Sequence, residues 1–261
     1  GYLSGDVTAE ELAFRSDQWW ESDSTVRLFG RTVTEVDAQA HTVRTADGEE
    51  IGYRFLIWAA GGEARALPVP GGDLGGVHVV RKLADAQRLK QELSTAHRAV
   101  VIGGGYIGLE SAASLRKMGI EVTVVEAMDR LLQRVTGPEV SAYIHALHAK
   151  ADVEVILGTG VTGIDGDDGR VRAVLLDDGR ELPADIVIVG IGLVPSIAAL
   201  TKAGADSSNG VQIDACCRTS LPDVFAIGDC AAFDAMWAPG TRVRLESVQN
   251  ANDQAKIVAK A

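Results

Sequence analysis

The run Val100-Val101-Ile102-Gly103-Gly104-Gly105-Tyr106-Ile107-Gly108-Leu109-Glu110 constrains this chain more than any other stretch. Its glycines follow a G-x-G-x-x-G pattern, which carries little weight alone. Here an apolar strand precedes it and a helical segment follows, the setting in which the spacing has a mechanical meaning. Gly103 permits a tight turn, Gly105 lets backbone approach a pyrophosphate, and Gly108 lets helix and strand lie close together. The phosphates would rest on the N–H groups of the helix N-terminus, which the helix itself does not use. Glu126 ends the next strand. A carboxylate there accepts hydrogen bonds from both adenosine ribose hydroxyls and repels a 2′-phosphate, so the sequence predicts NADH over NADPH. Arg130 and Arg134 stand close enough to blur that preference, but neither replaces Glu126.

Around this core the patterning predicts an α/β chain. Thr32–Val36, His41–Arg44 and Gly52–Ile57 read as strands, with a hairpin turn at Asp47-Gly48. Phe55 to Ala60 is an unbroken apolar run, as expected of a buried parallel strand. Gly61-Gly62 ends it, and the stretch from Pro68 to Gly76 reads as a domain crossing. A helix at Asp85–Glu92 leads into strand Ala99–Ile102, helix Gly108–Met118 and strand Glu121–Val125, one βαβ unit. A helix over Pro138–Lys150 follows. Val153–Leu157, Gly160–Gly163, Val171–Leu176 and Ile186–Val189 read as strands, with turns at Asp167-Asp168-Gly169 and Asp177-Asp178-Gly179. The tail holds a strand near Val224–Ile227 and a helix from about Val248 onward.

Composition narrows the functional classes. Among 261 residues the formal charge is −11, which argues against nucleic-acid binding through a basic footprint. No window approaches the roughly 20 apolar residues needed to span a bilayer, and the opening Gly1–Asp6 lacks the basic and apolar regions of an export signal. Three cysteines, Cys216, Cys217 and Cys230, give neither a disulfide framework nor zinc spacing, which fits a reducing cytoplasm. Cys216 and Cys217 are too close for an ordinary redox pair. His145 and His148 share a helix face, but no further ligands complete a metal site.

A second signature is more diagnostic. Thr219-Ser220-Leu221-Pro222-Asp223-Val224-Phe225-Ala226-Ile227-Gly228-Asp229 matches the T-x6-A-x-G-D fingerprint of two-dinucleotide flavoproteins. With Glu10-Glu11-Leu12, Phe14-Arg15, Gly190-Ile191-Gly192-Leu193-Val194-Pro195 and Arg244-Leu245-Glu246-Ser247-Val248-Gln249-Asn250-Ala251, it makes the chain resemble the pyridine nucleotide-disulfide oxidoreductase superfamily. Within it, the resemblance is to the putidaredoxin, rubredoxin and dioxygenase ferredoxin reductase branch. That resemblance implies two Rossmann-like (FAD/NAD(P)-binding) domains. The NAD domain, 77–196, is inserted into a discontinuous and incomplete FAD domain, 1–76 and 197–261. A full member also has an N-terminal βαβ unit for FAD and a C-terminal domain, and neither is expected here.

The resemblance also implies residue roles. Gly228 and Asp229 would meet the ribityl and pyrophosphate region of FAD, Val33 its adenine, and Arg81 the flavin cofactor. Val248, at a helix start, would lie under the flavin pyrimidine ring. Glu110, Glu126 and Arg134 would face NAD, and Gly192 the nicotinamide. Two departures stand out: Ala59-Ala60-Gly61 replaces Ala-Thr-Gly, and Ser196 stands where asparagine is common. The implied activity is electron transfer from NADH through FAD to a small iron–sulfur or rubredoxin-type carrier, with no catalytic side chain. An NADH oxidase or disulfide reductase of the same superfamily, and a non-catalytic NAD(H)-binding module, remain the alternatives.

Overall fold

The computed structural model describes residues 2–22, 25–236 and 239–261. The fold is α/β with parallel sheets, and its residues form two compact units, 1–20 with 64–193 and 21–63 with 194–261.

The first unit is built on a five-stranded parallel sheet in the order Val77–His78, Ile186–Val189, Arg98–Ile102, Glu121–Glu126, Val153–Leu157. Alternation along the central strand decides the layers. Ala99 and Val101 point to one face, where Leu89, Leu109, Ala112 and Leu115 of the helices Leu83–Glu92 and Tyr106–Lys117 cover them. Val100 and Ile102 point to the other, where Ile164, Val171, Val174 and Leu176 of an antiparallel meander close the core. The meander strands are Val161–Asp167, Arg170–Leu176 and Glu181–Pro183. A strand buried on both faces must be apolar throughout, which is why Ala99–Ile102 reads as an uninterrupted run. The helix Pro138–Lys150 and the strands Val153–Leu157 and Ile186–Val189 fall where the sequence predicts them.

The second unit has an antiparallel sheet of Val33–Asp37, Thr42–Thr45 and Glu50–Gly52, and a parallel pair, Leu56–Trp58 with Val224–Ala226. A four-stranded sheet follows, Ser207–Ser208, Gly210–Gln212, Ala231–Asp234 and Arg242–Val243. The helix Val248–Val258 completes it, capped by Ser247, whose Oγ accepts from Asn250 N.

Three expectations change. The predicted strand Gly52–Ile57 is two strands in different sheets, because Tyr53–Phe55 turn the chain out of the hairpin. The apolar run after it is parallel but only half buried. Trp58 faces the core, while Phe55 and Ile57, on the opposite face of a pair with one described neighbour, are 54% and 49% exposed. The Pro68–Gly76 stretch is not a crossing. Leu67, Val69 and Leu74 pack on the meander-side core, and Pro70 O accepts from Ile164 N. The packing units therefore change at 63 and 193, against the expected 76 and 196. Residues 2–20 also fall with the first unit, where Leu3 packs on its core and Lys90 Nζ donates to Tyr2 O.

Inside the first unit, His78 is fully buried with its Nε2 3.4 Å from Glu92 Oε1, and Arg170 donates to the other oxygen of Glu92. Burial holds the His78 imidazole below its ordinary pKa, against the pull of Glu92. Burial raises Glu92, but the Arg170 hydrogen bond and the His78 charge leave it lowered on balance. A histidine kept neutral by the fold takes up its proton more readily when unfolded. Its contribution is present above the ordinary value of 6.5 and is lost as pH falls below it. The melting midpoint should therefore drop between about pH 7.5 and about pH 5.5, and His78→Leu should flatten that drop. Equal slopes in calorimetric scans of the two proteins would refute the assignment.

Candidate functional site

The glycine-rich turn sits at the C-terminal end of the central strand, where neighbours on the two sides run to different connections, the position at which open α/β sheets bind ligands. Gly103 has φ of +109°, and a Cβ on it would meet Gly190 O at 2.5 Å. A Cβ on Gly108 would stand 2.0 Å from Gly103 O. Both glycines are thus required by the fold itself. Gly105 differs: its φ is −84°, which any residue adopts, and nothing lies within 4 Å of a Cβ there. The fold does not need glycine at 105, so the absent side chain keeps open the space beside the first turn of the helix Tyr106–Lys117.

The loop is held from outside. Gly103 N donates to Val125 O, Leu132 N donates to Gly104 O, and Gly104 N donates to Glu126 Oε2 at 2.6 Å. Glu126 Oε1 accepts from Met128 N at 2.8 Å. Each oxygen of Glu126 therefore already takes one backbone N–H. A carboxylate offers about four lone-pair positions, so capacity remains for two hydroxyls. Sequence reasoning did not find this second duty, because it runs through backbone amides. Arg130 is occupied elsewhere: its guanidinium donates to Thr136 O at 2.8 Å and Gln133 O at 3.1 Å. Arg134 and Glu110 are exposed, the latter on the second turn of the helix. Gly192 is exposed, with open space at its Cβ position, and its carbonyl accepts from Arg65 N. Arg81, just before the helix Leu83–Glu92, is exposed, and its N–H donates to Asp85 Oδ2.

In the second unit, Val224–Ala226 runs into a short turn, Gly228–Cys230. Gly228 is buried, and its N–H donates to Gln254 Oε1 at 2.7 Å. Asp229 is half-buried, and its carbonyl accepts from Arg244 Nη1 at 2.9 Å. Val248 is the first residue of its helix and is 70% exposed. Ser247 satisfies only the third N–H of that helix, so the first-turn amides of Val248 and Gln249 lie outside the helical ladder. Val33 begins its strand opposite Thr45 and packs partly on this unit's core. Ser196 does not idle where asparagine is common: its carbonyl accepts from Trp58 Nε1 at 2.7 Å.

The chemistry of these residues is compatible with two dinucleotides. The first unit offers a glycine turn, a helix N-terminus and a carboxylate at the next strand end. The second offers a strand end, a half-buried aspartate and an open helix start. Redox work by the cysteines does not fit. Burial pushes Cys217 up to about 11 and raises Cys230 as well, so both stay protonated thiols, and all three cysteines are free. Among the described residues no cluster of His, Cys, Asp and Glu could hold a metal, and no helix is long and apolar enough to cross a membrane. Both ring nitrogens of His148 lie near backbone carbonyls, those of Ile144 and Leu109.

Comparison with known proteins agrees with this geometry. The pyridine nucleotide-disulphide oxidoreductase pattern matches residues 7–255. The chain is 48% identical to the 5,5'-dehydrodivanillate O-demethylase ferredoxin reductase subunit of a Sphingobium species, over 99% of its own length and 63% of the relative's. It is 40% identical to putidaredoxin reductase of Pseudomonas putida, over 99% of this chain and 62% of that one. The solved ferredoxin reductase for the CYP199A2 system from Rhodopseudomonas palustris superposes with a TM-score of 0.94 at 37% identity, covering 99% of this chain and 63% of that one. The chain thus spans somewhat under two thirds of the length of these relatives.

The contrast between the glycines can be tested. Gly108→Ala should cost about 1–3 kcal/mol of stability in urea unfolding, as overpacking does. Gly105→Ala should stay within about 0.5 kcal/mol of the parent and instead weaken nucleotide binding by calorimetry. If both variants lose stability alike, Gly105 is structural.

Proposed function

The chain belongs to the pyridine nucleotide-disulphide oxidoreductase family, and from that premise we propose that its protein is an FAD-dependent NADH reductase. Its electron acceptor is a small iron–sulfur or rubredoxin-type carrier. The observation that carries the reading is the pairing of Gly105, a glycine with no structural need to be one, with Glu126, a carboxylate at the end of the next strand that is hydrogen-bonded to the same loop. The names of the relatives, a ferredoxin reductase subunit and a putidaredoxin reductase, support the class of acceptor.

In this reading each residue has a defined task. The Gly103–Gly105 turn and the helix start at Tyr106 hold the pyrophosphate of NADH. Glu126 takes the ribose hydroxyls and turns away a 2′-phosphate, while Glu110, Arg134 and Gly192 line the remainder of the nucleotide. Gly228 and Asp229 hold the ribityl and pyrophosphate region of FAD, with Val33 toward its adenine. The helix start at Val248 places positive dipole where a reduced flavin ring carries negative charge. Bound FAD supplies the conversion between a two-electron donor and a one-electron acceptor. No side chain need act as a nucleophile, in keeping with two buried thiols held protonated. We assign the protein to the cytoplasm on the strength of its three free thiols.

The test is an anaerobic absorption spectrum of the protein expressed from its complete reading frame. A visible flavin band should bleach faster with NADH than with NADPH, and a ferredoxin- or rubredoxin-type acceptor should restore it. Glu126→Ala should lower kcat/KM for NADH by about tenfold to a hundredfold, the loss of hydrogen bonds to a charged group, and leave NADPH much less affected. Absence of flavin would overturn the reductase reading. Faster bleaching by NADPH would overturn only the role of Glu126.

A further inference from the structure

We propose that Arg244 and Gln254 are positioning residues for the flavin site, holding the Gly228–Asp229 turn from its two ends. The inference rests on the reading of that turn as part of an FAD site and goes beyond it, since neither residue belongs to the G-D fingerprint.

The two contacts fall on adjacent residues. Gly228 N donates to Gln254 Oε1 at 2.7 Å, and Arg244 Nη1 donates to Asp229 O at 2.9 Å. The first fixes the peptide entering the turn, and the second fixes the peptide leaving Asp229. Together they set the backbone from which the Asp229 carboxylate is directed. Both side chains are buried, at 6% exposure for Gln254 and 8% for the side chain of Arg244. A buried guanidinium is costly unless its donors are engaged. Arg244 meets that demand with Glu246 Oε1 at 2.8 Å and Asn209 Oδ1 at 3.3 Å besides the Asp229 carbonyl.

Gly210, whose φ of +125° itself favours glycine, also borders the arginine stem. A Cβ there would stand 3.0 Å from Arg244 Cδ and 3.0 Å from Cys230 O, so the missing side chain leaves room for the arginine stem. Gln254 adds a link along its own element. It lies on the helix whose first residue is the exposed Val248, so one hydrogen bond ties that helix to the turn carrying Asp229. The core of this unit, which includes Val211, Val224, Phe225 and Ala226, is built from apolar side chains. Two polar side chains from different elements are directed at the backbone of one turn, which points to a role in setting its geometry.

The test compares Arg244→Met, Gln254→Met, Arg244→Lys and Gln254→Glu in the protein expressed from its complete reading frame. FAD dissociation is followed by the fluorescence of released flavin, and the apoprotein melting midpoint is measured separately. The methionine variants keep bulk but remove the donor or the acceptor. They should raise the FAD dissociation constant about tenfold, the loss of one good hydrogen bond, with apoprotein midpoints within about 2 °C of the parent. Lysine and glutamate retain a donor and an acceptor and should recover most of that affinity. Unchanged FAD affinity in both methionine variants would overturn the inference. So would apoprotein midpoints that fall in step with affinity, because the residues would then be structural. A parent protein that takes up no FAD would overturn the functional reading and this inference together, whereas a flavin-loaded parent with indifferent variants overturns the inference alone.

Discussion

The contact between the backbone at Gly108 and the carbonyl of Gly103 is the constraint on which the first unit depends. With 2.0 Å between that oxygen and the place a Cβ would occupy, the helix Tyr106–Lys117 lies against the strand end closer than any side chain permits. That closeness lets Leu109, Ala112 and Leu115 reach the face of the sheet carrying Ala99 and Val101. It also leaves the helix start directly above the end of the central strand. Gly190 enters the same contact, since a Cβ on it would stand 3.2 Å from Gly108 N. Three glycines from two neighbouring strand ends and one helix thus meet backbone to backbone. The loop geometry follows from that junction: the helix N-terminus is aimed by packing, and the loop is held by Val125, Leu132 and Glu126.

The second unit reaches a comparable end by different means. Its turn at Gly228–Asp229 is fixed by side chains, from Gln254 on one element and Arg244 on another. Hydrogen bonds of this kind are directional but individually modest, on the order of 1 kcal/mol net. The turn is thus restrained by the polar pair in a unit whose core is otherwise apolar. In the first unit one close contact does both, which is why substitutions there cannot separate folding from binding except at Gly105.

How much of this was legible in the sequence depended on the range of the interactions. The helix Pro138–Lys150 and the strands Val153–Leu157 and Ile186–Val189 carry their period locally, and their limits were read directly. The two nucleotide fingerprints were legible for the same reason. Short strands such as Val77–His78 and Gly210–Gln212 gave no signal, because two or three residues show no period and owe their state to neighbours far along the chain. Pro68–Gly76 has the composition of a linker, and only its contacts with the meander reveal it as packed structure. Phe55 and Ile57 read as buried because an apolar run does not tell how many neighbours a strand will have. Arg244 and Gln254 were invisible as site residues, since each acts on the backbone of a turn that sequence places 15 and 26 residues away.

Glu126 shows why the legible and the hidden belong to one argument. Its position at a strand end points to ribose recognition, a role read from spacing alone. Its two hydrogen bonds to Gly104 N and Met128 N show that the same carboxylate also restrains the glycine turn. The two duties use different lone pairs, so they do not compete. They do depend on one another: a carboxylate pinned by two amides cannot swing aside to admit a 2′-phosphate. Under the proposed function, discrimination between the two nucleotides would come from rigidity as much as from charge. Arg130 is held by the carbonyls of Thr136 and Gln133 and so is not available to neutralise that phosphate. Under the proposed function, the preference for NADH would be carried by a carboxylate that two backbone amides hold in place.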